Sequence, residues 1–332
     1  MRSFVHYSHW LKLFLIASLA FFATGCSAEK PVSTMNQKVV ITSISPLADL
    51  IKNVGGESIQ VISLVPTGSD PHTYEPTPEA VRQVTGAKLF FANGVGQEAY
   101  LEKLITNSQN KDLRTVILAD GLNILGIKDH HDEHESDHEE EGAHDEDEIH
   151  REGDGHDHSQ GNPHLWLDVK NAQHYVEHIR DALIETYPQD QESFKANAEN
   201  YLRELEALDQ WIQEQILTIP QENRNLIVYH DAWVYYTERY GLTVLRPVVH
   251  GDESEPSAKD YAQLIELIKE HQVKAIFGEV GFNTKLVLQL AQETGIKVVE
   301  DLYNDTLGVT PETDSYIEIM KHNTTAIVTA LK

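Results

Sequence analysis

The sequence predicts an α/β fold of two lobes, each with a mainly parallel sheet flanked by helices, joined by a long rigid helix. Three observations carry this. Short β-branched runs alternate with apolar-periodic helical stretches in both halves of the chain, the pattern of strands in a parallel sheet with helices on its faces. One unbroken helical pattern, 191–217, separates the halves. With 332 residues, 40% of them hydrophobic, the chain is long enough to bury a core.

Residues 38–42 (KVVIT) read as a buried strand, followed by an apolar-periodic helix over 46–54 that Gly55-Gly56 stops. A second strand is expected at 59–65. Thr77-Pro78-Glu79 is a helix start: a cap residue, a proline in the first turn, an acid near the positive end of the dipole. Short strands follow at 88–92 and 115–118, then a helix at 169–187. In the long helix Phe194, Ala198, Leu202, Leu205, Leu208, Ile212 and Ile216 recur at three- and four-residue steps, which places them on one face. At about 1.5 Å per residue the helix spans about 40 Å, more than a small lobe needs, and Pro220 ends it. The alternation then resumes: strand 225–229, helix 231–240, strand 243–248, helix 257–271, strand 273–278, helix 283–294, strand 296–300 and a final helix 312–331. The lobes are expected to cover 38–190 and 218–332. No sequence repeat relates them.

The first residues read as an address. Arg2 and Lys12 flank the start of an apolar run that ends at Phe22, followed by small residues at 23–25 and then Cys26. The run is too short to cross a bilayer, which takes about 20 residues, and it fits a signal peptide over 1–25. The cysteine placed directly after the cleavage site resembles a bacterial lipobox, so Cys26 is the expected lipidation site and 26–37 a polar tether. The mature protein is then expected outside the cytoplasm, lipid-anchored at the cell membrane or in a periplasm. Cys26 is the one cysteine of the chain, which excludes an internal disulfide, a Cys-based zinc finger and an iron–sulfur cluster. A formal charge of −27 disfavours nucleic acid as a partner.

Residues 129–158 are the sharpest composition shift. They hold fifteen acidic residues, one arginine and eight histidines: His130, His131, His134, His138, His144, His150, His156 and His158. One large aliphatic residue, Ile149, is too little to form a core, so a disordered loop is expected. Acidity alone makes a solvated linker. Imidazoles added to it make a weak chelator of zinc, nickel or copper, with irregular spacings and no defined site.

Outside that loop, His72, His164 and His230 have related contexts. Each precedes or opens a helix, His72 in a proline-stiffened loop (DPHTYEPTP), His164 in NPHLWLD, His230 at a strand end in VYHDAW. Ligands gather at the carboxyl ends of strands in open α/β sheets. Singly, each histidine suits a structural role; together they suit a metal site. His174 and His178, four apart on one helix, could clip a metal but show no third ligand; His178 and His271 read as ordinary surface histidines, and His322 is expected in a helix.

The ordered set DPHTYEPTP, NPHLWLDV, YHDAWVYYTERYGL, ESEPS and DLYNDTLG resembles the metal-binding proteins of bacterial ABC importers for zinc and manganese, most closely the zinc-specific, ZnuA-like branch, over about residues 38–332. The resemblance implies a metal in the inter-lobe cleft, with His72 and His164 from one side and His230 and Asp305 from the other. It also implies an ABC permease and its ATPase as partners and a monomer, while the rod helix is expected to limit hinge motion to modest lobe or loop movement. The chain departs from the pattern at Val169, where proline often stands, at Pro71, where an acid often precedes the histidine, and in having no disulfide.

Three imidazoles and one carboxylate suit tetrahedral Zn²⁺, whereas Mn²⁺ prefers more oxygen donors. Manganese-binding members of the resembled family carry a carboxylate where His230 stands, so one tight zinc is expected, with further weak ions in the loop and Mn²⁺ as the less favoured cargo. Because ligand imidazoles must be neutral, acid should weaken binding. The alternatives are a manganese importer component, a metal-dependent surface adhesin, for which no adhesive module is visible, and a zinc hydrolase. A hydrolase needs an open metal position and a base such as Asp231 or Glu279; with Asp305 as fourth ligand the site is closed, and no enzyme is expected. Glu75 and Glu279 otherwise read as a loop acid and a strand-end cap.

Overall fold

The computed structural model describes residues 38–126, 161–249 and 256–332. The expected signal peptide, Cys26, the tether and the histidine–acid segment 129–158 lie outside the described residues, as does most of the ESEPS motif.

The first half comprises β1 (Lys38–Thr42), α1 (Ser45–Gly55), β2 (Ile59–Ser63), α2 (Pro78–Gly86), β3 (Leu89–Ala92), α3 (Leu101–Ser108) and β4 (Arg114–Ile117). Its four strands pair in parallel in the order β2-β1-β3-β4, with Val40 level with Val61 on one side and Leu89 on the other. Two helices follow, α4 (Val169–Thr186) and α5 (Gln191–Leu217). The second half comprises β5 (Asn225–Val228), α6 (Val234–Tyr240), β6 (Thr243–Pro247), α7 (Ala258–Glu270), β7 (Ala275–Glu279), α8 (Lys285–Thr294), β8 (Lys297–Leu302) and α9 (Tyr316–Leu331). Its sheet is also parallel, in the order β6-β5-β7-β8. The strand order therefore repeats although no sequence repeat is visible.

Strands covered by helices on both faces need continuous rather than alternating apolar residues. β3 (LFFA) and β7 (AIFGE) are buried along their whole lengths, and Glu279 at the end of β7 is the exception that bears on function. Thr77 caps α2 by accepting from Ala80 N, and Asp168 caps α4 by accepting from Lys170 N, which supplies the helix start that Val169 does not. On α5 the buried face is Phe194, Ala198, Tyr201, Leu205, Leu208, Ile212 and Ile216; Tyr201 takes the inner position and Leu202 lies at its margin.

The helix is more than a rod between separate bodies. One hydrophobic cluster runs from Val40 and Leu47 through Tyr175, Phe194 and Leu205 to Leu226, Phe277 and Tyr316. Smaller clusters sit on each sheet, around Phe90 in the first half and Ile276 in the second. Polar ties cross the same boundary: the Trp166 indole donates to the Asn304 carbonyl at 2.9 Å, and the Tyr316 hydroxyl to the Trp166 carbonyl at 2.6 Å. Wide separation of the halves would have to open this shared core, and close-packed interiors resist that.

Several boundaries differ from the sequence expectation. α3 is an additional helix, too short for a periodic signal. The second strand ends at Ser63, two residues early. The helix expected from 231 starts at Val234, because the Trp233 indole is drawn to Glu279 and residues 230–233 form a turn closed by Ala232 N donating to the His230 carbonyl. The last helix starts after Ser315, whose hydroxyl caps it, because Gly308 and Thr313 pair into a loop at 2.7 Å. Among the described residues no helix is long and apolar enough to cross a membrane.

Candidate metal centre

The four candidate side chains reach one point from four loops, each near the carboxyl end of a strand. His72 lies on the loop between β2 and α2. Asp70 accepts the His72 backbone N–H at 2.7 Å and the Thr73 hydroxyl at 2.9 Å, an Asx turn that aims the following ring. His164 precedes a short 3₁₀ turn, Leu165–Leu167, ahead of α4. The Asn162 carbonyl oxygen of the side chain accepts both the His164 backbone N–H and Nδ1, each at 3.0 Å. The Asn93 amide holds the intervening Pro163 carbonyl at 2.8 Å.

His230 lies two residues beyond β5. Its Nδ1 meets Glu279 Oε2, and Glu279 also accepts from the Trp233 indole at 2.8 Å and the Asn304 amide at 2.9 Å. Asp305 follows β8, with its backbone N–H donated to Asn304 Oδ1 at 2.7 Å.

His164, His230 and Asp305 are buried, at 3%, 5% and 2% exposure. His164 Nε2 stands 3.2 Å from His230 Nε2 and 3.3 Å from Asp305 Oδ1, while Asp305 Oδ2 lies 3.5 Å from His230 Nε2 and 3.7 Å from His72 Nε2. One ligand atom from each of the four residues falls within 4.8 Å of every other, and among the described residues this is the group of His, Cys, Asp and Glu that could hold a metal ion.

The electrostatics favour a cation at the focus. With Nδ1 of His164 and His230 directed at Asn162 and Glu279, the two rings bring their Nε2 atoms to 3.2 Å from each other, where a cation between them could take both as donors. Both carboxylate oxygens of Asp305 are buried and accept no hydrogen bond among the described residues, a costly state for an anion. Burial pulls the His164 imidazole down to about 4 against the attraction of Asp305, so this ring is neutral and ready to ligate at neutral pH. Burial alone would raise the Asp305 carboxyl; attraction to the His164 and His72 rings beside it, exerted when those rings carry a proton, outweighs that and holds it well below the ordinary carboxylate range. A bound metal ion supplies that positive charge without a proton.

Other sequence candidates are not brought together. The rings of His174 and His178 lie 4.1 Å apart, but His174 Nε2 is engaged with the Asp120 carbonyl at 2.8 Å. Glu75 is exposed on its loop. Glu279 is committed to three donors and is unsuited to act as a base; its reading as a strand-end cap gives way to support of His230. Sequence reasoning also passed over Asn162 and Asn304. The available signal for Glu279 was a carboxylate closing an otherwise apolar strand, AIFGE, which requires buried partners.

Residues 40–330 match the family described as ZnuA, "Zinc-uptake complex component A periplasmic". The chain is 32% identical to the manganese-binding lipoprotein MntA of Halalkalibacterium halodurans over 96% of this chain and 97% of that one. It is 27% identical to the manganese ABC transporter substrate-binding lipoprotein PsaA of Streptococcus anginosus, over 92% and 94%. Among solved structures it resembles ZnuA, with a TM-score of 0.73 and 28% identity over 89% of this chain and all of that one. The manganese-bound periplasmic metal binding protein of Candidatus Liberibacter asiaticus gives 0.73 and 25% over the same shares.

Proposed function

The chain belongs to the zinc-uptake component A family of ABC-importer metal-binding proteins, and from that premise we propose that it captures Zn²⁺ outside the cytoplasm and delivers it to an ABC permease. His72, His164, His230 and Asp305 are the proposed ligands. The observation that carries the reading is their convergence as a buried set of three imidazoles and one carboxylate. Donors about 2.0–2.1 Å from a tetrahedral centre stand about 3.3–3.4 Å apart; the 3.2 Å between His164 Nε2 and His230 Nε2 and the 3.3 Å between His164 Nε2 and Asp305 Oδ1, in a four-donor set that lies within 4.8 Å, support such a centre. The Glu279–His230 and Asn162–His164 pairs are the outer contacts that fix the rings for ligation.

Carriage follows from the same donors. Four protein ligands close the coordination sphere and leave no position for a reactive water, so the ion is held rather than used. Release then needs a ligand to be withdrawn, and contact with the permease is the proposed trigger. Lipidation of Cys26 and loose metal capture by the histidines of 129–158 remain part of this proposal; the lipoprotein names of MntA and PsaA support the first.

Manganese is the second reading, and the manganese-binding relatives favour it. A donor set with one carboxylate against three imidazoles argues for zinc, because Mn²⁺ prefers oxygen-rich, higher coordination. Competition titration of Zn²⁺ against Mn²⁺, on chain with residues 129–158 removed, decides between them. One tight zinc equivalent that manganese does not displace is expected. Displacement by manganese would change the cargo, and loss of tight binding with the segment would remove the four-residue site.

A further inference from the structure

A hydrogen-bond cluster beside the metal centre ties the first ligand loop to the last. Residues 66–69 form a turn closed by Ser69 N donating to the Pro66 carbonyl at 3.0 Å, with Gly68 at φ 80°, the left-handed third position that glycine fills in a type II turn. The Gly68 backbone N–H therefore points away from its own turn. It donates to the Thr306 hydroxyl at 2.7 Å, across to the other half of the molecule. Thr306 is 2% exposed and donates in turn to the Leu307 carbonyl at 3.0 Å, while Leu307 N donates to Ser45 Oγ at 2.9 Å. On the turn's other side the Gly68 carbonyl lies 3.6 Å from where a Cβ at Gly281 would stand. The Gly68 turn is thus seated between Thr306 and Gly281.

Position gives this contact its consequence. Gly68 is two residues before Asp70, which aims His72, and Thr306 directly follows Asp305. The His72 side chain is 10% exposed, against 4%, 7% and 1% for His164, His230 and Asp305, so His72 is the most exposed of the four. We propose that Thr306 is a positioning residue for metal retention: its hydroxyl latches the His72 loop onto the Asp305 loop, and opening of this latch governs how fast the ion leaves. The inference rests on the four-ligand reading above.

The test is zinc release from the loaded full chain into excess EDTA, followed by stopped flow, with association measured separately. Thr306→Val keeps the shape and removes the hydroxyl's contacts with Gly68 N, the Leu307 carbonyl and Ser45 Oγ. It should speed release about five- to tenfold, the scale of one buried hydrogen bond lost, and leave association within about twofold, since interface changes act mainly on dissociation. Thr306→Ser should restore slow release. Wild-type release from Thr306→Val, or slowed association alone, would overturn the latch while leaving the metal site intact; wild-type chain that retains no zinc would overturn the cargo reading and the latch together. Should Thr306→Val fail to fold, amide hydrogen exchange in the wild-type chain decides. The Gly68 N–H should be protected when zinc is bound, and free exchange there would sink the proposal.

Discussion

The two halves share a strand order and differ in what they place at the strand ends. The first half offers His72 after β2 and His164 after β4; the second offers His230 after β5 and Asp305 after β8. Each half also buries a carboxylate near the end of its third strand, Glu98 six residues beyond β3 and Glu279 as the last residue of β7. Glu98 accepts the Ser43 hydroxyl at 2.6 Å and the backbone N–H groups of Asn93 and Gly94 at 2.8 and 3.0 Å. Glu279 accepts from His230, Trp233 and Asn304. The same element thus pins a loop backbone in one half and aims a candidate ligand in the other. A common sheet leaves its strand-end loops free to carry chemistry, and the nature of the carboxylate's partners decides whether it serves stability or binding.

The comparison breaks most severely if a proposed ligand is removed. His164→Ala or Asp305→Ala should lower zinc affinity by about a thousandfold or more, beyond the 10- to 100-fold of outer contacts; titration against a chromogenic chelator measures it. A loss below tenfold would mean that the two halves do not share one ion.

Next in size is the pH response of the metal-free fold. The folded His164 value of about 4 lies below the ordinary 6.5, so the unfolded chain binds a proton that the folded chain excludes. The contribution to stability is present above pH 6.5 and falls as pH drops towards 4, by up to about 3 kcal/mol. Urea midpoints at pH 7 and pH 5 should show this slope in wild type and lose much of it in His164→Asn. Zinc binding should weaken over the same acid range, because proton and metal compete for imidazole.

The two carboxylates sharpen the contrast. Glu279→Gln should cost about 10- to 100-fold in zinc affinity. Glu98→Gln should leave affinity within a few-fold but lower metal-free stability by about 1–3 kcal/mol, the scale of a disturbed buried acceptor, visible as a reduced melting temperature. Equal effects on affinity would erase the distinction. Smallest of all, His174→Ala or His178→Ala should change zinc affinity less than about twofold, since no further ligand completes that pair.

Local and periodic features were legible in the sequence. The apolar runs of β1, β3, β5 and β7, the single apolar face of α5, the proline-stiffened His72 loop and the Asn-Pro-His turn follow from propensity and spacing over a few residues. The three histidines stood out by their similar contexts, and Asp305 by the resemblance of its motif. Tertiary structure alone decided the rest, because it depends on groups distant in sequence. Glu279 becomes a support only when β7 lies beside β5. The His230 turn displaces the first residues of an expected helix only because Glu279 claims Trp233. Nothing local brings Gly68 to Thr306, 238 residues away. The shared core that makes α5 more than a rod forms only once α1, α5 and α9 pack together. Sequence by itself determined the elements and the donor chemistry, since both arise from short-range sterics and residue type. Only folding decided which donors converge on one point and how tightly their loops are held, since both are set by long-range packing.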